Sequence, residues 1–119
     1  MKQIIVMRTD LNMRKGKMIA QGAHAAMAFL AHRVRSSAPL TDEQRAWIDG
    51  AFTKVCVRVE SEEALQAIHA RALEHGLESH LIVDSGKTEF KGLPTATCCA
   101  IGPDRPERLE EVTGALKLL

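Results

Sequence analysis

RKGKMIAQGAHAAMA, residues 14–28, packs three cationic side chains, a helix start and two polar side chains into one short run. A helix beginning near Lys17 places Lys17, Gln21 and His24 on one stripe, at i, i+4 and i+7. Ala28 extends that stripe and leaves it sterically open. Ile19, Ala23, Ala26, Met27, Leu30 and Val34 gather on the opposite side and are expected to form the buried face. The polar stripe has two readings. Most such stripes are simply solvated. Gln and His are unusual filler for an exposed face, however, and Ala20, Ala25 and Ala28 keep the surroundings low. These features favour a functional face carrying an ammonium, an amide and an imidazole in a row.

Working outward, Gln3–Arg8 (QIIVMR) is a β-branched apolar run and reads as a strand. Residues 9–16 form a polar loop, and the helix runs from about Lys17 to Arg35. Ser36, Ser37 and Pro39 end it. Thr41 opens a short helix with the T-x-x-Q capping spacing to Gln44, closed by Gly50, with Trp47 as its anchor. Lys54–Val59 alternates as a second strand. Ser61 caps a third helix that ends at His75 and Gly76. Ser79–Val83 is a third strand, residues 84–94 (DSGKTEFKGLP) a loop, and Thr95–Ile101 a fourth strand. A last helix starts at Pro106. Strands alternating with helices predict an α/β fold with a mostly parallel sheet. The last two strands lack an intervening helix, so one of them is expected to be antiparallel. Loops after the first and third strands then share one end of the sheet and bring Lys17 beside Asp84.

The 119 residues suffice for one domain, residues 1–119, and are too few for two ordinary ones. No apolar run approaches the roughly 18 residues of a membrane span. The first residues are too short and strand-like for a signal peptide, so a cytoplasmic location is expected. Cys56, Cys98 and Cys99 lie in strand-like runs and read as reduced apolar residues. The net charge is +1, yet up to Arg35 the only acid is Asp10. A basic first third suits a polyanionic partner, unless later acids fold back on it.

Asp84 ends an apolar strand and precedes Ser85-Gly86. It either caps the turn through an Asx bond or stands as an ionised carboxylate near Lys17. Gly86-Lys87-Thr88 imitates a phosphate-binding loop, but Leu81 occupies the required glycine position and no helix follows, so a nucleotide site is rejected. Thr95 and Thr97 share one strand face and offer hydroxyls. The histidines lack ligand spacing and no Cys pair has CxxC spacing, so no metal site is predicted. Stacking aromatics are few, which argues against a sequence-reading single-strand RNA sheet.

With these residues in place, the chain resembles the type 2 peptidyl-tRNA hydrolases over nearly its whole length. The resemblance rests on VMRTDLNMRKGKMIAQGAHAA, DSGKTE, TATCCAIGP and VTGALKLL. It implies a three-layer α/β/α sandwich with a four-stranded mixed sheet. It implies hydrolysis of the ester joining a peptide to the 3′ ribose of tRNA, with no metal or organic cofactor. Family members are often dimers, so a homodimer is among the states it implies. No membrane-anchoring extension is expected. The family's catalytic positions fall on Lys17, His24, Asp84, Thr88 and Thr97. Gln21 and Thr95 join the substrate site, and Arg14 and Lys15, with Arg33 and Arg35 further along, face the phosphates. Gly22 stands where members usually carry a larger residue, and Glu89 gives the loop an added negative charge. Two rival functions share the fold: a non-catalytic RNA-binding module, and an esterase for another acyl ester.

Overall fold

The computed structural model describes residues 1–87 and 90–119. Its elements are β1 (Lys2–Arg8), α1 (Lys15–Ser36), α2 (Asp42–Asp49), β2 (Lys54–Val59), α3 (Glu62–Glu74), β3 (Ser79–Asp84), β4 (Thr95–Asp104) and α4 (Pro106–Thr113). The local signals act as expected. Thr41 and Gln44 form a reciprocal capping box at 3.1 and 3.0 Å, and the Ser61 hydroxyl accepts from the Ala64 N–H. The Trp47 indole is 1 % exposed, donates to the Thr53 carbonyl and meets the Phe29 ring edge-on.

The sheet order is β2-β1-β4-β3. β1 and β2 are parallel, and β4 runs antiparallel to both β1 and β3. The antiparallel member expected of the last two strands is therefore β4. β1 and β3 run the same way, so their carboxyl ends lie together. Alternation along β1 divides the core. Ile4 and Val6 pack with Leu65 and Ala72 of α3 and with Leu109 and Val112 of α4. Ile5 and Met7 pack with Ala25 of α1.

The inward face of α1 corrects the sequence reading. Gln21, Ala25 and Phe29 are buried, while Ile19, Met27 and Val34 are 72 %, 62 % and 76 % exposed. Polar groups set this orientation. Gln3 donates its amide to the Ala26 carbonyl, Cys98 donates its thiol to the Gln21 carbonyl, and Gln21 itself bonds two sheet residues. The displaced apolar stripe lines a groove beside α1 of about 580 Å³, with Ile19, Met27, Leu30, Phe52 and Leu119 among its walls.

Gly22 on this helix leaves room for a side chain. A Cβ there would lie 3.7 Å from Met7 Cε, an ordinary contact. Gly22→Ala is therefore expected to stabilise the fold by roughly 0.5–1 kcal/mol, from the relief of glycine's backbone entropy. Urea unfolding measures it; a lower midpoint would show that the helix needs the gap.

Candidate active site

Four side chains from three elements meet where β3 ends and α1 begins. Lys17 Nζ donates to Asp84 Oδ1 at 2.8 Å, and both side chains are largely buried. Gln21 Nε2 donates to the same oxygen at 3.2 Å. Thr97 donates its hydroxyl to Gln21 Oε1 at 2.6 Å. That last bond orients the amide, because a carbonyl that accepts from Thr97 leaves the NH₂ to face Asp84. The backbone N–H of Gly86 donates to Asp84 Oδ2 at 2.9 Å. Asp84 is thus both a turn cap and a held carboxylate; the two readings open in the sequence are one arrangement.

The electrostatics follow from these bonds. The Lys17 hydrogen bond, then the Gly86 N–H, hold the Asp84 carboxyl below the usual carboxylate range, and Gln21 adds to them against the opposing effect of burial. Asp84 is therefore ionised at neutral pH, and both its oxygens already accept hydrogen bonds. A carboxylate in that state is a poor proton acceptor and a good anchor for an ammonium.

A register shift in β4 places Thr97. β3 pairs Ile82 with Cys98 and Val83 with Ala96, which leaves Thr97 as the extra residue of a bulge. Thr97 and Cys98, though adjacent, both reach Gln21 of α1. A regular strand would send one of them to the other face. Cys98 and Cys99 have their thiols pushed up by burial, to about 11 and about 12. Neither has the character of a nucleophile.

The other expected residues scatter. Thr95 lies opposite Asp84 in the β3–β4 register, but its hydroxyl donates to the Leu93 carbonyl rather than into the group. His24 is exposed on α1 and, among the described residues, has no hydrogen-bond partner. Arg14 and Lys15 are exposed at the positive end of α1, within a turn of Lys17. Arg33 departs from its expected role. It pairs with Glu78, which also accepts from Gln44 and bonds His80, so Arg33 ties α1 to β3 and α2. Burial raises the Glu78 carboxyl, but the His80 and Arg33 hydrogen bonds outweigh it and hold it below the usual range. Thr88 and Glu89 lie outside the described residues. Among those described, no group of three His, Cys, Asp or Glu could hold a metal ion.

Two contributors escaped the sequence reading. Phe90 stands with its ring 5.6 Å from Lys17 Nζ. Arg8 forms a two-pronged pair with Asp10 at 3.0 and 2.7 Å and donates to the Ala96 carbonyl, which pins the turn leading into α1 to β4. The Arg-x-Asp spacing at the strand's end was the available signal for that fork.

Comparison with known proteins adds an independent line. Residues 1–119 match the family described as Peptidyl-tRNA hydrolase PTH2. The peptidyl-tRNA hydrolase of Methanocaldococcus jannaschii is 40% identical over 119 residues, covering 100% of both chains. That of Sulfolobus acidocaldarius is 39% identical over 121 residues, again 100% of both. The probable peptidyl-tRNA hydrolase 2 of Schizosaccharomyces pombe is 38% identical over 117 residues, 98% of this chain and 55% of that one.

Proposed function

The chain belongs to the peptidyl-tRNA hydrolase PTH2 family, and we propose that its activity, hydrolysis of the ester bond of peptidyl-tRNA, is carried by the group of Lys17, Asp84, Gln21 and Thr97. The observation that supports this placement is the buried Lys17–Asp84 pair at the carboxyl end of β3. Water attacks the ester carbonyl carbon, and the carbonyl oxygen becomes an oxyanion. The bond to the ribose oxygen then breaks, giving a peptide carboxylate and a free tRNA hydroxyl. The Lys17 ammonium stabilises the oxyanion, held for that purpose by Asp84. Thr97 and Gln21 keep Asp84 in place from the side away from solvent. Thr88 is assigned a substrate hydrogen bond on the resemblance alone. His24, being exposed, either accepts the water's proton or orients the substrate. Arg14 and Lys15 meet phosphates without reading bases.

Turnover of purified peptidyl-tRNA, measured beside binding of uncharged tRNA, tests the whole reading. Binding without turnover would match the module rival, and turnover of simple acyl esters alone the esterase rival. Arg14→Ala and Lys15→Ala are each expected to weaken tRNA binding for all species and to reduce the salt slope of log affinity by about 1. A loss confined to one tRNA species would mean base contacts instead.

Among the described residues no helix is long and apolar enough to cross a membrane, and an activity on peptidyl-tRNA supports a cytoplasmic place of work. A homodimer formed through the α1 groove is supported by the exposed Ile19 and Met27, with half-buried Leu30 beside them in the groove wall, since apolar patches of this kind mark interaction surfaces. Sedimentation that returns only monomer overturns the dimer.

A further inference from the structure

Lys17 has an anion on one side and an aromatic face on another. The Asp84 carboxylate stands 2.8 Å from its nitrogen, and the centre of the Phe90 ring 5.6 Å. That second distance is within the reach of a cation–π attraction. The ring is half-buried and packs on the apolar cluster that includes Met13, Leu11 and Met18. Two backbone bonds tie its surroundings: Gly92 N–H donates to the Gly86 carbonyl and Leu93 N–H to that of Phe90. The backbone next to the ring is therefore tied to the residue whose N–H reaches Asp84.

We propose that Phe90 is a positioning residue for the hydrolysis, whose ring face holds the Lys17 ammonium in line with Asp84. This rests on the assignment of Lys17 given above. The chemistry distinguishes a ring from other groups at this place. A second carboxylate would hold the ammonium as firmly, but it would cancel the positive potential that a developing oxyanion needs. A leucine would fill the same apolar contact, but it offers a cation no attraction and leaves it poorly solvated. An aromatic face attracts the ammonium through its quadrupole and leaves the charge intact.

The test replaces Phe90 with phenylalanines carrying one, two and three ring fluorines, which weaken the negative ring face with little change in shape. The kcat for peptidyl-tRNA is expected to fall with each fluorine, by roughly 3- to 10-fold in total, with KM unchanged. Phe90→Tyr should keep activity and Phe90→Leu should fall as far as the fluorinated series. The ε-methylene protons of Lys17 should be shifted upfield by the ring current, and the shift should vanish in Phe90→Leu; this reads the contact without turnover. A flat kcat across the series overturns the proposal. So does a rise in KM at constant kcat, which would mean that the ring touches substrate. Lys17→Ala separates the two levels of the argument. Lost turnover there with a flat fluorine series sinks Phe90 alone, whereas undiminished turnover sinks the assignment beneath it.

Discussion

Asp84→Asn and Lys17→Ala are each expected to lower kcat for peptidyl-tRNA by about 10²–10³, the usual loss for one preorganised electrostatic contributor. Asn keeps the size of Asp and one acceptor, so the Gly86 turn can survive while the charge is lost. Asp84 Oδ1 takes both Lys17 and Gln21, so removal of its charge weakens the hold on the ammonium's position. Removal of the ammonium leaves the carboxylate with nothing to place. The double variant should therefore be little worse than the worse single one. Fully multiplicative losses would show two independent contributors. Near-normal turnover in both singles would move the site elsewhere. The pH profile sharpens the assignment. Asp84 is held below the usual carboxylate range, so it is ionised well before neutrality and cannot produce a limb near pH 6.5. If His24 is the base, the acid limb of the profile belongs to it and disappears in His24→Ala. A limb that persists there makes His24 an orienting group.

Gly86→Ala is expected to be the most damaging change outside the charged pair. Gly86 adopts φ +84, in the left-handed region, and an added Cβ would overlap the backbone of Leu93, at 2.5 Å from its nitrogen and 2.6 Å from its carbonyl carbon. Backbone, unlike the end of a long side chain, cannot step aside cheaply, and this stretch is tied to Gly86 by the Gly92 hydrogen bond. The methyl must tilt the Gly86 N–H away from Asp84 Oδ2. We expect kcat to fall on the order of 10²-fold, with the thermal midpoint lowered much less than a core truncation would lower it. Gly92→Ala supplies the control. Gly92 shares the positive φ, at 78°, but nothing lies within 4 Å of its added Cβ. It reports the cost of left-handed backbone alone, about 1–2 kcal/mol. Full activity in Gly86→Ala would show that the loop reshapes freely and that its N–H is dispensable.

Strand patterns, caps and the shared end of β1 and β3 were legible because each depends on local residue types. Asp84 beside Lys17 followed from topology alone. The face of α1 did not follow. Periodicity finds an apolar stripe but not what covers it, and here Ile19, Met27 and Val34 point away from the sheet. What decided the matter was hydrogen bonding of Gln21 to Thr97 and Asp84, partners 76 and 63 residues away. Gln21 and Lys17 were singled out as a pair, but on a helix turned the wrong way. Thr97 was found as a hydroxyl, but its bulge was invisible, since nothing in TATCCAI announces an extra residue. Arg33 was read as a phosphate contact because its partner Glu78 lies 45 residues on.

The strand order carries a consequence for synthesis. The central strand β1 is made first, yet one of its neighbours, β4, is made nearly last, at Thr95–Asp104. Until β4 leaves the ribosome, β1 has one open edge, β3 has no partner, and Gln21 lacks the hydroxyl that orients it. Such long-range pairing slows folding, because loop closure must precede the contacts that reward it. It also makes activity all-or-none with respect to chain length. A nascent or truncated chain ending before residue 95 should carry Lys17 and Asp84 without being able to assemble them, so a hydrolase of peptidyl-tRNA is expected to be inert while it is itself still a peptidyl-tRNA.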